Sequence, residues 1–250
     1  MKGLLRLGVL VLLAAIALQL YFVARIALMA VVNPESTAFE RSAVYNVAAN
    51  TGSLKWRQQW TPYDDISDNL KKAVIASEDA SFNVHEGVDI EALEKAWEKN
   101  AKADARAEQR LQQSANKPSG TKAPAKPPKI IGGSTITQQL AKNLFLSGER
   151  TLLRKGQELV LTLLLERLLT KQRILEIYLN NVEWGEGVFG AEAAAQYYYR
   201  KPAAKLSAYE AARLAIMLPR PKYFETRPNS GYLSSRASTI VARMGGVEIP

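Results

Sequence analysis

The stretch "RKGQELVLTLLLERLLTKQRILEIYLNN" (residues 154–181) decides the fold class. It is so apolar that it reads as a central, buried helix followed by a second one. Immediately after it, "EWGEGVFG" (183–190) carries Gly185, Gly187 and Gly190, which mark a tight turn where the backbone comes close to something. "AEAAAQYYYRKPAAKLSAYEAARLAIMLPRP" (191–221) supplies two more helices, stopped by Pro219 and Pro221. From Thr135 to Ala215 the chain therefore reads as mainly α, with no internal repeat.

Working upstream, "IIGGSTITQQLAKNLF" (130–145) leads from two glycines into Ser134-Thr135, a favourable helix N-cap. The helix that follows bears Gln138, Gln139, Lys142 and Asn143. Free N–H groups at a helix N-terminus, together with amides and a Lys, form a donor field for an anion. An ordinary capped helix explains the same residues equally well. Without GxxxxGK[ST] the stretch is not a nucleotide P-loop. Arg150, Arg154 and Lys155 follow, then Glu158 one turn after Arg154. Clustered cations of this kind suit a pyrophosphate better than a single charge pair would. The bland reading of Glu158 is an intrahelical ion pair with Arg154, worth a few tenths of a kcal/mol.

Residues 99–129 change character. They hold eight Lys or Arg against two acids, a local charge of +6, with four prolines. The first half reads as a frayed helix and the second as a disordered linker, either solvated or adhering to acidic lipid head groups. "SANK" within it matches SxxK, but no SDN or KTG accompanies it.

"IASEDASFNVHEGVD" (75–89) contains the only histidine of the chain. Ile66, Leu70, Ala73, Val74 and Ser77 share one helical face, which places Glu78 at the edge of that apolar stripe and Asp79 on the far side. With no cysteine and one histidine, the 250-residue chain has no thiol nucleophile, no Cys-ligated zinc and no HExxH site, and only His85 is available for a triad. A lone His near a helix end is more often a hydrogen-bonded structural residue than a base. Glu78 and Glu158 remain as a separated acid pair, the type of pair that glycosyl transfer and glycoside hydrolysis both use.

The N-terminus, "LGVLVLLAAIALQLYFVA" (7–24), continues apolar after Arg25 to Val32. That is longer than the roughly 20 residues a bilayer needs, so residues 1–32 read as an uncleaved anchor. Lys2 and Arg6 place the N-terminus in the cytoplasm, and Arg25 can snorkel at the outer edge. Residues 33–62 read as a stalk, with "SAVYNVAA" (42–49) as a β-like run, and 63–250 as the working domain. The formal charge of +9 points to an anionic partner: nucleic acid, acidic lipid or a phosphorylated substrate.

Five of these stretches, "ASEDASFNVHEGVD", "GGSTITQQLAKNLF", "RKGQELVLTLLLE", "KQRILEIYLNNVEWGEGVFG" and "AAAQYYYRKPAAKLSAYEAARLAIMLPRP", resemble the ordered motifs of the peptidoglycan glycosyltransferases. The same family supplies the glycosyltransferase domain of class A penicillin-binding proteins. The resemblance runs from about Trp60 to Pro221. No transpeptidase domain follows, so the similarity is to monofunctional, membrane-anchored members. It implies a mainly α, lysozyme-like helical glycosyltransferase domain preceded by one transmembrane helix in the inner membrane, with the catalytic domain periplasmic. The implied inverting reaction polymerises lipid II into glycan strands and releases undecaprenyl pyrophosphate.

By motif, Glu78 is the implied general base and Glu158 orients the donor side. Lys142 and Arg150 steady the pyrophosphate, with Arg154 and Lys155 in the same substrate-binding group. Gln138, Gln139, Ser134 and Thr135 line the cleft, while Asp79, Phe82, His85 and Gly87 support the first motif. A divalent cation, Mg2+ or Mn2+, is the one cofactor implied, at Glu158, with no organic cofactor. The implied partners are lipid II, the lipid-linked glycan, membrane lipid and other wall-synthesis or division proteins, but no nucleic acid. The longer basic insert at 99–129 departs from the family pattern. Two rivals stand beside this reading: a lysozyme-like lytic glycosidase and a non-enzymatic wall-binding scaffold.

Overall fold

The computed structural model describes residues 2–115, 133–146 and 151–250, with backbone alone over 110–115. By its internal packing the chain forms two units, residues 88–134 and everything else.

The larger unit starts with α1 (Lys2–Leu28). At 1.5 Å per residue it is about 40 Å long, and among the described residues it is the one helix long and apolar enough to cross a membrane. Most of its surface is open, but Ile26 is fully buried and Phe22 nearly so. Phe22 meets Phe145 edge-on at 5.3 Å, and Gln19 exchanges amide hydrogen bonds with Gln157. Past the helix end, Arg173 Nε donates to the Met29 carbonyl.

α2 (Ala38–Thr51) corrects the β-like reading of 42–49. Thr37 and Glu40 form a reciprocal capping box, and Gly52 ends the helix at φ 66°. Those two local stops outweigh the β propensity of the valines and tyrosine between them. The strand β1 (Arg57–Gln58) and a 3-10 turn at Tyr63–Asp65 lead to α3 (Asp68–Glu78), capped by Ser67. Because α3 stops at Glu78, Asp79 does not continue onto the solvent side as helical periodicity predicts. Its extended φ of −161° turns the side chain inward, leaving it 6% exposed.

Within the smaller unit, α4 (Ile90–Ala115) is one continuous helix rather than a frayed one up to its last described residue. The Asp89 carboxylate accepts from the Ala92 N–H, and exposed Glu91–Lys95 and Glu98–Lys102 pairs run along it. The linker expected over 116–129 lies outside the described residues.

Back in the larger unit come α5 (Ile136–Phe145), α6 (Leu152–Leu168) and α7 (Lys171–Asn181). The short strands β2 (Glu183–Gly185) and β3 (Val188–Phe189) follow, then α8 (Ala191–Tyr199), α9 (Ala208–Met217), α10 (Pro221–Glu225) and α11 (Gly231–Met244). β3 is the middle strand, antiparallel to β2 and parallel to β1, with Arg57 opposite Val188.

α3 packs on α9, α9 on α11, and α5 on both α6 and α7. The buried centre belongs to α7: Ile174, Leu175, Ile177 and Leu179 have no exposed surface. Truncating one of them to Ala costs about 2–5 kcal/mol. α6 corrects the expectation of a central helix. Only Glu158, Leu161, Thr162 and Leu165 are buried, while Leu153, Leu159, Val160 and Leu163 are open. One stripe faces α5, Gln157 meets Gln19 of α1, and much of the remaining apolar surface is open among the described residues.

Candidate active site

Glu78 is the last residue of α3, half-buried, where the chain leaves the helix. Its Oε2 accepts from Gln139 Nε2 at 3.0 Å, and Gln139 Oε1 accepts from the Tyr178 hydroxyl at 3.0 Å. Tyr178 is 1% exposed, so this relay reaches the carboxylate from the core. Burial pushes the Glu78 pKa above the usual carboxylate range, and neighbouring Asp79 adds to the rise. The bonds from Gln139 and Ser77 oppose it.

Asp79 and His85 build the floor beneath it. Asp79 Oδ2 accepts from the Ile136 N–H at 3.0 Å, one of the unpaired donors at the α5 N-terminus. Its Oδ1 lies 2.8 Å from His85 Nε2. The Gly87 N–H donates to His85 Nδ1 at 3.0 Å, which assigns the ring proton to Nε2 and directs it at Asp79. Both nitrogens of His85 are therefore engaged. Phe82 is fully buried, and the Lys171 ammonium sits 4.6 Å from its ring centre.

Thr135 and Gln138 are buried in the N-terminal cap of α5. Gln138 N–H donates to Thr135 Oγ1, Thr135 N–H to Gln138 Oε1, and Thr135 Oγ1 to the Gly87 carbonyl. Thr135 Oγ1 thereby ties α5 to the 79–87 loop, while Gln138 closes the cap on Thr135. Ser134 is exposed and falls in the other unit. Arg150 lies outside the described residues.

Lys142 follows Gln139 by three residues, on the same face of α5 and about 4.5 Å further along its axis. The side chain is open, yet the protein around it pushes the ammonium pKa below its usual value. Burial is the largest cause, with Arg154 and Lys155 adding to it and Glu158 opposing. Solvent at an open ammonium blunts that depression.

Glu158, 4% exposed, is the counter-charge of this cationic group. Arg154 Nη1 donates to its Oε2 at 3.0 Å, and Lys155 Nζ donates to its Oε1. Arg154 Nε is buried with no hydrogen-bond partner among the described residues. Both carboxylate oxygens are thus occupied by cations, and among the described residues no three His, Asp or Glu side chains converge. That donor set does not fit Mg2+ or Mn2+, which seek several free oxygens.

Two contributors lie outside the residues expected to form the site. Tyr178 positions Gln139 from 39 residues away. Glu166 accepts from Thr137 Oγ1 at 2.6 Å and from Lys171 Nζ at 2.9 Å, and Lys171 also donates to the His85 carbonyl. That network ties α5, α6 and α7 to the His85 loop. A charged Glu inside an apolar helix was the available signal for Glu166; nothing local marks Tyr178.

A family model described as transglycosylase matches residues 46–109 and 122–245. A protein named biosynthetic peptidoglycan transglycosylase from Burkholderia thailandensis is 53% identical over 95% of this chain and 84% of its own length. Proteins of the same name from Burkholderia orbicola and Burkholderia cenocepacia are each 49% identical, over 95% of this chain and 87% of theirs.

Proposed function

We infer the chemistry from one premise: the chain belongs to the transglycosylase family and is a peptidoglycan glycosyltransferase of cell wall synthesis. Its helical domain is of the lysozyme-like kind, and its apolar N-terminal helix suits a membrane anchor. The substrate is lipid II, joined to a growing lipid-linked glycan, with undecaprenyl pyrophosphate as the leaving group. The anchor crosses the inner membrane with Lys2 and Arg6 on the cytoplasmic side and the catalytic domain outside.

In this reading Glu78 is the base. The acceptor's 4-hydroxyl loses its proton to the Glu78 carboxylate as its oxygen bonds to the anomeric carbon of the donor. The bond from the anomeric carbon to the pyrophosphate oxygen breaks, its electron pair leaves with the pyrophosphate, and configuration inverts. A carboxylate whose pKa is raised by burial is a stronger base, closer to the operating pH than a solvated one. Gln139, braced by Tyr178, fixes the direction in which Glu78 presents its oxygen.

Lys142, Arg154 and Lys155 receive the charge that develops on the departing pyrophosphate. Glu158 keeps Arg154 and Lys155 oriented and limits their mutual repulsion. The observation that carries this reading is the buried Arg154 Nε, a charged donor left without an acceptor beside an open Lys142. A buried unpaired guanidinium donor is costly, and an anionic ligand supplies what it lacks.

The test is to incubate the detergent-solubilised chain with labelled lipid II and size the products. Long strands are expected from lipid II alone. Absence of polymer, or shortening of added glycan instead, overturns the reading.

A further inference from the structure

A cleft of about 660 Å3 lies away from both carboxylates of the site described above, with Lys55, Trp56, Arg57, Glu186, Tyr197 and Glu225 in its walls. The walls are firmly built. The Arg57 N–H donates to the Gly187 carbonyl at 2.8 Å. Gly187 has φ +73°, and a Cβ there would lie 2.2 Å from the Lys55 carbonyl oxygen, so the two segments touch backbone to backbone.

Both acids in the cleft are already satisfied. Glu225 accepts from the Tyr197 hydroxyl and from the Glu186 N–H, each at 2.9 Å. Glu186 is paired with Lys55 at 2.8 Å. Arg57 is the odd charge. Its guanidinium lies over the Tyr197 ring, 5.5 Å from the centroid, and has no carboxylate or carbonyl acceptor among the described residues. Trp56 beside it is 51% exposed.

An exposed guanidinium held in place on an aromatic face is pre-organised for a bidentate carboxylate. A half-open indole next to it offers a flat apolar surface, which suits the apolar face of a sugar ring. The volume is that of a small-ligand site and the shape is concave. We propose that this cleft binds a glycan strand by a carboxylate of its peptide stem, at a saccharide site separate from Glu78. The class of ligand rests on the peptidoglycan glycosyltransferase reading; the carboxylate and aromatic requirements rest on Arg57 and Trp56.

The probe is glycan fragments released from peptidoglycan by a muramidase, with free stem-peptide carboxylates, titrated calorimetrically into the detergent-solubilised full chain. Arg57→Ala is expected to weaken binding about tenfold or more, the effect of losing a charged hydrogen-bonding partner. Trp56→Ala should act in the same direction, with Trp56→Phe recovering most of the loss. Fragments whose carboxylates have been amidated should bind the unaltered protein as weakly as free-acid fragments bind Arg57→Ala. The initial rate of lipid II polymerisation should be unchanged in Arg57→Ala, which also shows that this variant folds.

Equal affinity of Arg57→Ala and the unaltered protein overturns the proposal, as does equal affinity for amidated fragments. If the unaltered protein polymerises lipid II yet binds no fragment, the cleft assignment falls and the reaction stands. If it binds fragments through Arg57 yet makes no polymer, the reaction falls and the cleft assignment stands.

Discussion

The two carboxylates of the site differ in what surrounds them. Glu158 has a cation on each oxygen, both supplied by its own helix at i−3 and i−4. Glu78 has neutral donors instead, the Gln139 amide from another helix and Ser77 beside it, and burial raises its pKa. A saturated carboxylate holds its partners in place. A carboxylate with no cation on it, in a partly dehydrated setting, is suited to take a proton. In the proposed mechanism the same residue type therefore serves as strut at one end and base at the other, because of its neighbours.

The largest effect should come from Glu78→Gln, which keeps the shape and the Gln139 contact but cannot accept a proton. Polymerisation should fall at least ~100-fold, with the melting temperature nearly unchanged; retained turnover above about a tenth of the original would end the base assignment. Glu158→Gln comes next. It strips the counter-charge from Arg154 and Lys155, and stability should drop by about 2 kcal/mol, discounted for the open side of Lys155. The KM for lipid II should rise about tenfold, since 1.4 kcal/mol of lost binding is that factor. A fall in kcat with KM unmoved would make Glu158 a reacting group and erase the contrast.

Gln139→Leu probes the milder asymmetry. Removing a donor to the charged form of Glu78 raises its pKa further, so the acid limb of the activity profile should move up by about one pH unit. A limb that stays in place would mean that another group controls it.

An effect on stability alone concerns a third acid, Glu40, 1% exposed in the α2 capping box and pushed up to about 7 by burial. Its folded pKa lies above the unfolded value, so between 4.5 and about 7 the folded chain binds more protons. Stability should therefore fall as pH rises through that window, by at most about 1.4 kcal/mol per pH unit. Glu40→Gln should flatten the slope in a pH series of denaturant melts. A slope unchanged by the substitution would assign it elsewhere.

Much of the site could be read without coordinates because its rules are local. Glu158 sits one turn from Arg154, Thr135 and Gln138 fit a capping box, and the acid at the margin of the 66–77 stripe was identifiable as Glu78. The misreadings share a cause. Residue preference alone makes 42–49 a strand, but "TAFE" before it and Gly52 after it bracket a helix. Helical periodicity puts Asp79 on the solvent side only if the helix runs one residue past its end. Adjacent α6 and α7 are similarly rich in leucine and isoleucine, yet only α7 is surrounded by protein.

The amino-acid order by itself determined the helices, their caps, the long apolar N-terminal segment and the charge pairs within one turn, because those depend on neighbours up to four residues away. Only the tertiary structure decided which apolar helix lies at the centre. It also brought Gln139 to Glu78 across 61 residues and braced it with Tyr178. Burial and long-range hydrogen bonds depend on how the elements pack, and no local rule carries that information.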